Sequence, residues 1–280
     1  MQKILVPTDF SNNALKAAGY AAEIAKKSGA TIFLLHVIEP AINMATMQAD
    51  SSGKKVVEER TSKLNLSLES IAEVYPHIKV IPFLASGMVI SSILEYAEKE
   101  KMDMIVMGTK GASGLKKFFV GSVTAGVIGK TGIPVLTVPV SYEMEEPDAI
   151  VFATNQFEKN KELLNKIIAI PKLFSSAIHV VVFKDIDSDE HADLIYNEEQ
   201  LNDYLQFLKE NFPDIIFKGE LLRGKDFEMT IDRYSNKNEV DIIAMVTYPK
   251  SFFEKVLQKS VTKKMAFNST IPILSVSGID

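Results

Sequence analysis

No cysteine occurs among the 280 residues, so disulfide frameworks, thiol nucleophiles, iron–sulfur clusters and cysteine-ligated zinc are excluded together. The absence fits a reducing compartment. No apolar run approaches the roughly 20 residues that span a bilayer, and the opening Met1-Gln2-Lys3-Ile4-Leu5-Val6-Pro7-Thr8-Asp9 meets an acid too early for a secretory signal. The expectation is a soluble cytoplasmic protein without a membrane partner. There is also no basic stripe with interleaved aromatics, which argues against nucleic acid as a partner. The net charge of −5 is uneven: residues 1–142 carry 15 Lys+Arg against 12 Asp+Glu, the rest 16 against 24. The four histidines, His36, His77, His179 and His191, show neither H-x3-H nor HExxH spacing, so core or surface roles are expected and no metal site.

What is present is ordinary globular material: 46% hydrophobic and 24% charged residues exclude disorder as the main state. At roughly 100 to 200 residues per domain the length predicts about two domains. Strand-length apolar runs alternate with segments of helical period, the pattern of a parallel sheet with crossover helices, so the fold class is α/β. Ile4-Leu5-Val6 is the first strand; Ser11-Asn12-Asn13 offers an N-cap to a helix that Gly29 stops. Thr31–Val37, Ile78–Leu84, Met104–Met107 and Ile133–Val138 are further strands, and Lys54–Tyr75, Val89–Lys99 and Gly121–Lys130 are helices. Runs such as Thr31-Ile32-Phe33-Leu34-Leu35 suit strands covered on both faces.

An internal repeat extends this to the whole chain. Ile4–Phe10 aligns with Ile150–Gln156, and Ile32–Val37 with Ile178–Phe183, at an offset of 146. Met102–Met107, Gly121–Thr124 and Ile133–Leu136 align with Val240–Met245, Lys259–Thr262 and Ile271–Leu274 at an offset of 138. The second copy therefore lacks eight residues, expected between its second and third strands. The domains are read as 1–142 and 149–280, joined by the acidic, proline-bearing linker 143–148.

In such a sheet ligands sit beyond the carboxyl ends of the strands, near the point where strand order reverses. After the fourth strand the sequence reads Gly108-Thr109-Lys110-Gly111, then nine residues, then Gly121-Ser122-Val123-Thr124. Glycines allow positive φ and close approach of a ligand to the main chain, and Gly121-Ser122 at a helix start offers N–H groups and a hydroxyl to a phosphate. Together with Pro7-Thr8-Asp9 after the first strand, Val37 ending the second, Met107 before the glycines and Ile133–Val138, this ordered set resembles the universal stress protein family in a tandem two-domain form. The resemblance covers almost the whole chain. It implies two open five-stranded domains of a Rossmann-like, adenine nucleotide alpha hydrolase-like fold, paired as an internal pseudo-dimer through their last strands. It also implies one ATP or AMP per chain, with Mg2+ as an optional companion. Pro7, Thr8, Asp9 and Val37 would lie toward adenine and ribose, Met107, Gly108 and Gly111 beside ribose and phosphates, and Gly121, Ser122, Val123 and Thr124 around the phosphate chain.

In the second copy Asp9, Gly108, Gly111 and Gly121 become Asn155, Val246, Pro249 and Lys259. Side chains then stand where backbone would meet ligand, and proline removes a donor. That half is expected to be structural, with Ser260, Val261 and Thr262 leaving a weak anion site open. Thr124–Thr131 nearly matches a phosphate loop but lacks its first glycine and fits a helix interior. Asp187, Asp189 and Glu190 read as a solvated loop, and so does the connection holding Met44 and Met47. The function expected is a stress-response nucleotide-binding regulator rather than an efficient enzyme, with slow hydrolysis or autophosphorylation at Ser122 or Thr124 left open. A homodimer and an unidentified protein partner also stay open. The rivals are an interaction module without nucleotide and an adenylating enzyme, which needs a Ser-Gly-Gly-x-Asp-Ser loop where this chain has Pro7-Thr8-Asp9-Phe10-Ser11.

Overall fold

Each apolar run becomes a parallel strand because the helical segments between runs carry one apolar face each and must bury it on the sheet. The computed structural model describes residues 1–39, 51–109, 121–186, 191–248 and 270–278, which form two units, Met1–Val140 and Ser141–Asp280. Unit 1 runs β1 (Lys3–Pro7), α1 (Asn12–Ser28), β2 (Thr31–Ile38), α2 (Ser51–Val74), β3 (Val80–Ser86), α3 (Val89–Lys99), β4 (Met104–Gly108), α4 (Ser122–Ile128) and β5 (Val135–Val138). Its strands lie parallel in the order β3-β2-β1-β4-β5. Unit 2 runs β6 (Ala149–Ala153), α5 (Lys161–Phe174), β7 (Ala177–Asp185), α6 (His191–Asn211), β8 (Phe217–Gly224), α7 (Phe227–Lys237), β9 (Ile242–Thr247) and β10 (Ile273–Ser277). The same topology gives the order β10-β9-β6-β7-β8, again parallel. The α/β class expected from the alternating pattern is the one observed, with the strand order reversing between the first and fourth strands of each unit.

Helix α1 shows why the sequence folds this way. The Ser11 hydroxyl accepts from Ala14 N–H (3.2 Å), and Gly29, at φ +71°, donates to Ala25 C=O (2.8 Å), an N-cap and a left-handed C-cap. Between them Ala14, Ala17, Ala18, Ala21, Ala22 and Ala25 are buried, small residues that let the helix lie close on β1 and β4. On α4, a Cβ at Gly126 would come within 2.4 Å of Ile90 Cδ1, so this glycine of the near-phosphate-loop serves packing of α4 on α3. Of Thr124–Thr131, expected as helix interior, residues 124–128 are helical, whereas Gly129 is the C-cap and Lys130 and Thr131 lie past the helix end.

The repeat is visible in chemistry as well as topology. The Asp103 carboxylate accepts from Gln2 and Lys3 N–H, and Asp241 accepts from Asp148 and Ala149 N–H (2.8 and 3.0 Å). Lys101 and Glu239 both take a positive φ, 52° and 50°. The ring pair Phe33–Tyr96 returns as His179–Tyr234. By strand register β2 and β7 are offset by 146 but β3 and β8 by 137, and Val89 and Phe227, which open α3 and α7, by 138, so the β7–β8 connection is nine residues shorter and one residue is regained between β8 and α7.

Candidate functional site

The strand registers fix what meets at the carboxyl rim of unit 1. Pro7 pairs with Leu35 and Ile4 with Met104, so Thr8, His36 and Gly108 lie level across three strands, and Asp9, Val37 and Thr109 level one step beyond. Thr8 N–H donates to Leu35 C=O (2.8 Å), the last rung of the β1–β2 ladder. Alternate residues of a parallel strand address alternate neighbours. Thr31 and Leu35 bond toward β1, whereas Ile32 and Ile38 bond toward β3. Parity therefore turns the Val37 N–H and C=O toward the β1 side, past the point where β1 has ended.

The turn after β1 is built from its own side chains. Phe10 N–H donates to Thr8 Oγ1 (3.0 Å) and Ser11 N–H to Asp9 Oδ1 (3.1 Å), with Phe10 at φ 65°. His36 Nδ1 lies 2.8 Å from the Thr8 carbonyl oxygen. That oxygen can only accept, so Nδ1 carries the proton in the neutral ring. The Phe10 ring packs on the imidazole at 4.2 Å between centroids. Burial holds the His36 pKa below the ordinary 6.5, aided by Arg60 and Lys63 of α2 and opposed by the Thr8 bond and Asp9.

At the end of β4, a Cβ on Gly108 would lie 2.7 Å from the Asn13 side chain and 2.9 Å from its backbone oxygen. Gly108 is not among the residues with positive φ, and Gly121 sits at φ −54°. The conformational freedom expected of these two glycines is thus not what the fold uses: Gly108 is small because α1 crosses it. The Thr124 hydroxyl donates to Gly108 C=O (3.0 Å) and is buried, while Ser122 is exposed and Val123 half-buried. Gly121 N–H donates to Thr109 C=O (2.8 Å), and the first intrahelical bond of α4 is Ala125 N–H to Gly121 C=O (3.2 Å). Pro7, Thr8, Asp9, Val37, Met107, Gly108, Gly121, Ser122, Val123 and Thr124 thus share one rim. Gly111, Pro249, Lys259, Ser260, Val261, Thr262, Met44, Met47 and the acids 187–190 lie outside the described residues.

Sequence reasoning missed three members of this rim. The sequence offers Asn13 only as cap material, gives no signal at Phe10, and places His36 in an apolar strand run. The last has a readable signal, since a histidine level with Thr8, just past the end of β1, stands at the rim rather than mid-sheet.

The universal stress protein family model matches residues 1–139. The universal stress protein MJ0531 of Methanocaldococcus jannaschii is 32% identical over 139 residues, covering 49% of this chain and 81% of that one. The chain belongs to the universal stress protein family. A Thermus aquaticus member is 30% identical over 139 residues, covering 48% of this chain and 96% of its own. The crystal structure of an Archaeoglobus fulgidus universal stress protein, 20% identical, superposes with a TM-score of 0.65 over 98% of this chain and 96% of that one. The fold is therefore shared along both units.

The counterpart rim in unit 2 starts from the same turn and then departs from it. Thr154 N–H donates to Val181 C=O (3.0 Å) and its Oγ1 accepts from Gln156 N–H (3.2 Å), as Thr8 does with Leu35 and Phe10. Helix α5 begins after Asn160, whose side chain caps Glu162 and Leu163 N–H, three residues later than the repeat offset places Ser11's counterpart. Asn155, level with Phe183, donates from Nδ2 to Phe183 C=O and accepts from Phe183 N–H on Oδ1, both at 3.1 Å. Val246 stands in the place of Gly108. Among the described residues no group of three or more His, Asp or Glu is placed to hold a metal ion, and no helix is long and apolar enough to cross a membrane.

Proposed function

We propose that unit 1 holds one adenine nucleotide, ATP or AMP, and that the protein is a nucleotide-binding regulator of the stress response in which unit 2 is a structural partner. One observation carries the reading: the Val37 N–H and C=O, directed past the end of β1 with Asp9 level beside them, form a donor–acceptor edge of the kind that reads a heterocyclic base. The other residues fit such a ligand. The Asp9 carboxylate accepts hydroxyl donors, as a ribose presents, and the N–H groups of Ser122 and Val123 precede the first intrahelical bond of α4 and suit a phosphate. Asp9 is the only carboxylate among these site residues, so a magnesium ion would enter on the phosphates rather than in a protein cage. Of the two hydroxyls near the phosphate end, Thr124 is buried on Gly108 C=O and Ser122 is exposed, which makes Ser122 the one available for modification.

The test is to purify the protein without added nucleotide, denature it, and count released adenine nucleotide by mass spectrometry and absorbance. About one per chain is expected for a single working site. Gly121→Val should remove it, because a branched side chain then covers the approach to the Ser122 and Val123 N–H groups. None released, with no binding of added ATP up to millimolar concentration, would leave an interaction module.

A further inference from the structure

We infer that unit 2 retains a base-reading edge, the N–H and C=O of Phe183, and that the Asn155 carboxamide occupies it, so that removing the carboxamide creates a site for a planar heterocycle with adjacent donor and acceptor, such as a purine. The inference rests on reading Val37 as the base edge of unit 1, because Phe183 is its counterpart in the repeat.

The geometry sets out the case. Ala177 N–H bonds to Asp148 C=O and Thr154 N–H to Val181 C=O, both on the β6 side, whereas Ile178 N–H bonds to Ile216 C=O on the β8 side. Phe183 has the parity of Ala177 and Val181, so its polar groups face the β6 side beyond Ala153, where that strand ends. There Asn155 contributes one donor and one acceptor to one acceptor and one donor, a pairing that only one orientation of the amide satisfies. This is the hydrogen-bond pattern that adenine presents on an edge where an amino group adjoins a ring nitrogen. The Phe183 ring meets Phe227 edge-to-face at 5.3 Å, an apolar neighbour suited to a flat ligand. Asp at this position cannot do the same, since a carboxylate has no donor for the C=O.

The experiment uses the full chain, wild type and Asn155→Ala, with adenosine as the probe so that no phosphate contact is needed. Amide hydrogen exchange at Phe183 should be slow in the wild type without ligand and about ten-fold faster in Asn155→Ala, the loss of one net hydrogen bond. Titration calorimetry should then give Asn155→Ala one more equivalent of bound adenosine than the wild type. Faster exchange with unchanged stoichiometry overturns the inference, and so does a Phe183 amide that exchanges equally fast in both. Asn155→Gly, which removes both the donor and the acceptor, should behave like Asn155→Ala and covers a failure of the alanine variant to fold. If the wild type binds no adenosine, the reading of unit 1 fails, while the difference between variant and wild type still judges unit 2.

Discussion

The two rims differ at position 9 and its counterpart 155 by a single atom type, and the consequences reach across the strand. In unit 1 the Asp9 carboxylate turns back to its own loop and accepts from Ser11 N–H. In unit 2 the Asn155 amide reaches over to β7 and takes both polar groups of Phe183. Both units share the turn before it, the aspartate clasp under the sheet and the strand order, so the repeat keeps the scaffold and differs in what pairs with one edge. A binding edge made of backbone cannot be mutated away; it can only be covered. On the proposed reading of the two edges, a copy loses its ligand when its own side chain satisfies that edge, as much as when a glycine is lost.

The largest effect that would break this comparison is expected at Gly108. Gly108→Val copies unit 2 into unit 1, yet its Cβ would stand 2.7 Å from Asn13. Overpacking of this kind costs about 1–3 kcal/mol, read as a lower urea midpoint at unchanged slope, and Asn13→Ala in the same chain should recover part of it. Nucleotide loss in Gly108→Val therefore reports on the seating of α1 as well as on the site. Full stability would mean that α1 does not press on Gly108 and that the glycine serves the ligand alone.

Asp9→Asn is the sharper and smaller test. The variant gives unit 1 the amide of unit 2 at the same register. The Val37 amide should become protected from exchange without nucleotide, and adenine nucleotide affinity should fall by about ten-fold, equivalent to one net hydrogen bond. Weaker binding without protection at Val37 would show that Asp9 acts on the ligand and that an amide there does not cover the edge.

Much of this was legible in the residues. The β-branched runs, the Ser11 and Gly29 caps and the two repeat offsets give the elements and the α/β class, because those signals are local and period-bound. The position of Gly108 at a rim was legible too. The reason for its being glycine was not, since that depends on how closely α1 crosses β4, a distance no periodicity encodes. Nor was the role of Asn155. Replacing Asp by Asn reads as loss of a charge, and only the β6–β7 register brings the amide level with Phe183. The apolar run Thr31–Val37 leaves His36 with a core or surface role and nothing more specific, because its partner, the Thr8 carbonyl, is 28 residues away in sequence.

The smallest effect is expected from pH, and it falls on both units in the same direction. Burial lowers the pKa of His36, with Arg60 and Lys63 adding to it, and burial lowers that of His179, with Lys218 adding to it. The unfolded chain, with histidine near 6.5, therefore takes up protons before the folded one as pH falls. The stability these rings contribute is complete above pH 6.5 and is lost as the pH drops through 6.5 toward the folded values. Protonation leaves the His36 Nδ1–H bond to Thr8 in place and adds a charge at Nε2, so the cost is that of a charge in a buried, cation-flanked position rather than of a broken contact. Between pH 7.5 and 5 the melting temperature of the wild type should fall further than that of the double variant His36→Gln/His179→Gln. Added nucleotide should reduce only the His36 share, since His36 alone stands beside the proposed site. A single His36→Gln variant with a pH profile identical to the wild type would show that His36 titrates as it does in the unfolded chain, and the rim of unit 1 would then be more open to water than its burial indicates.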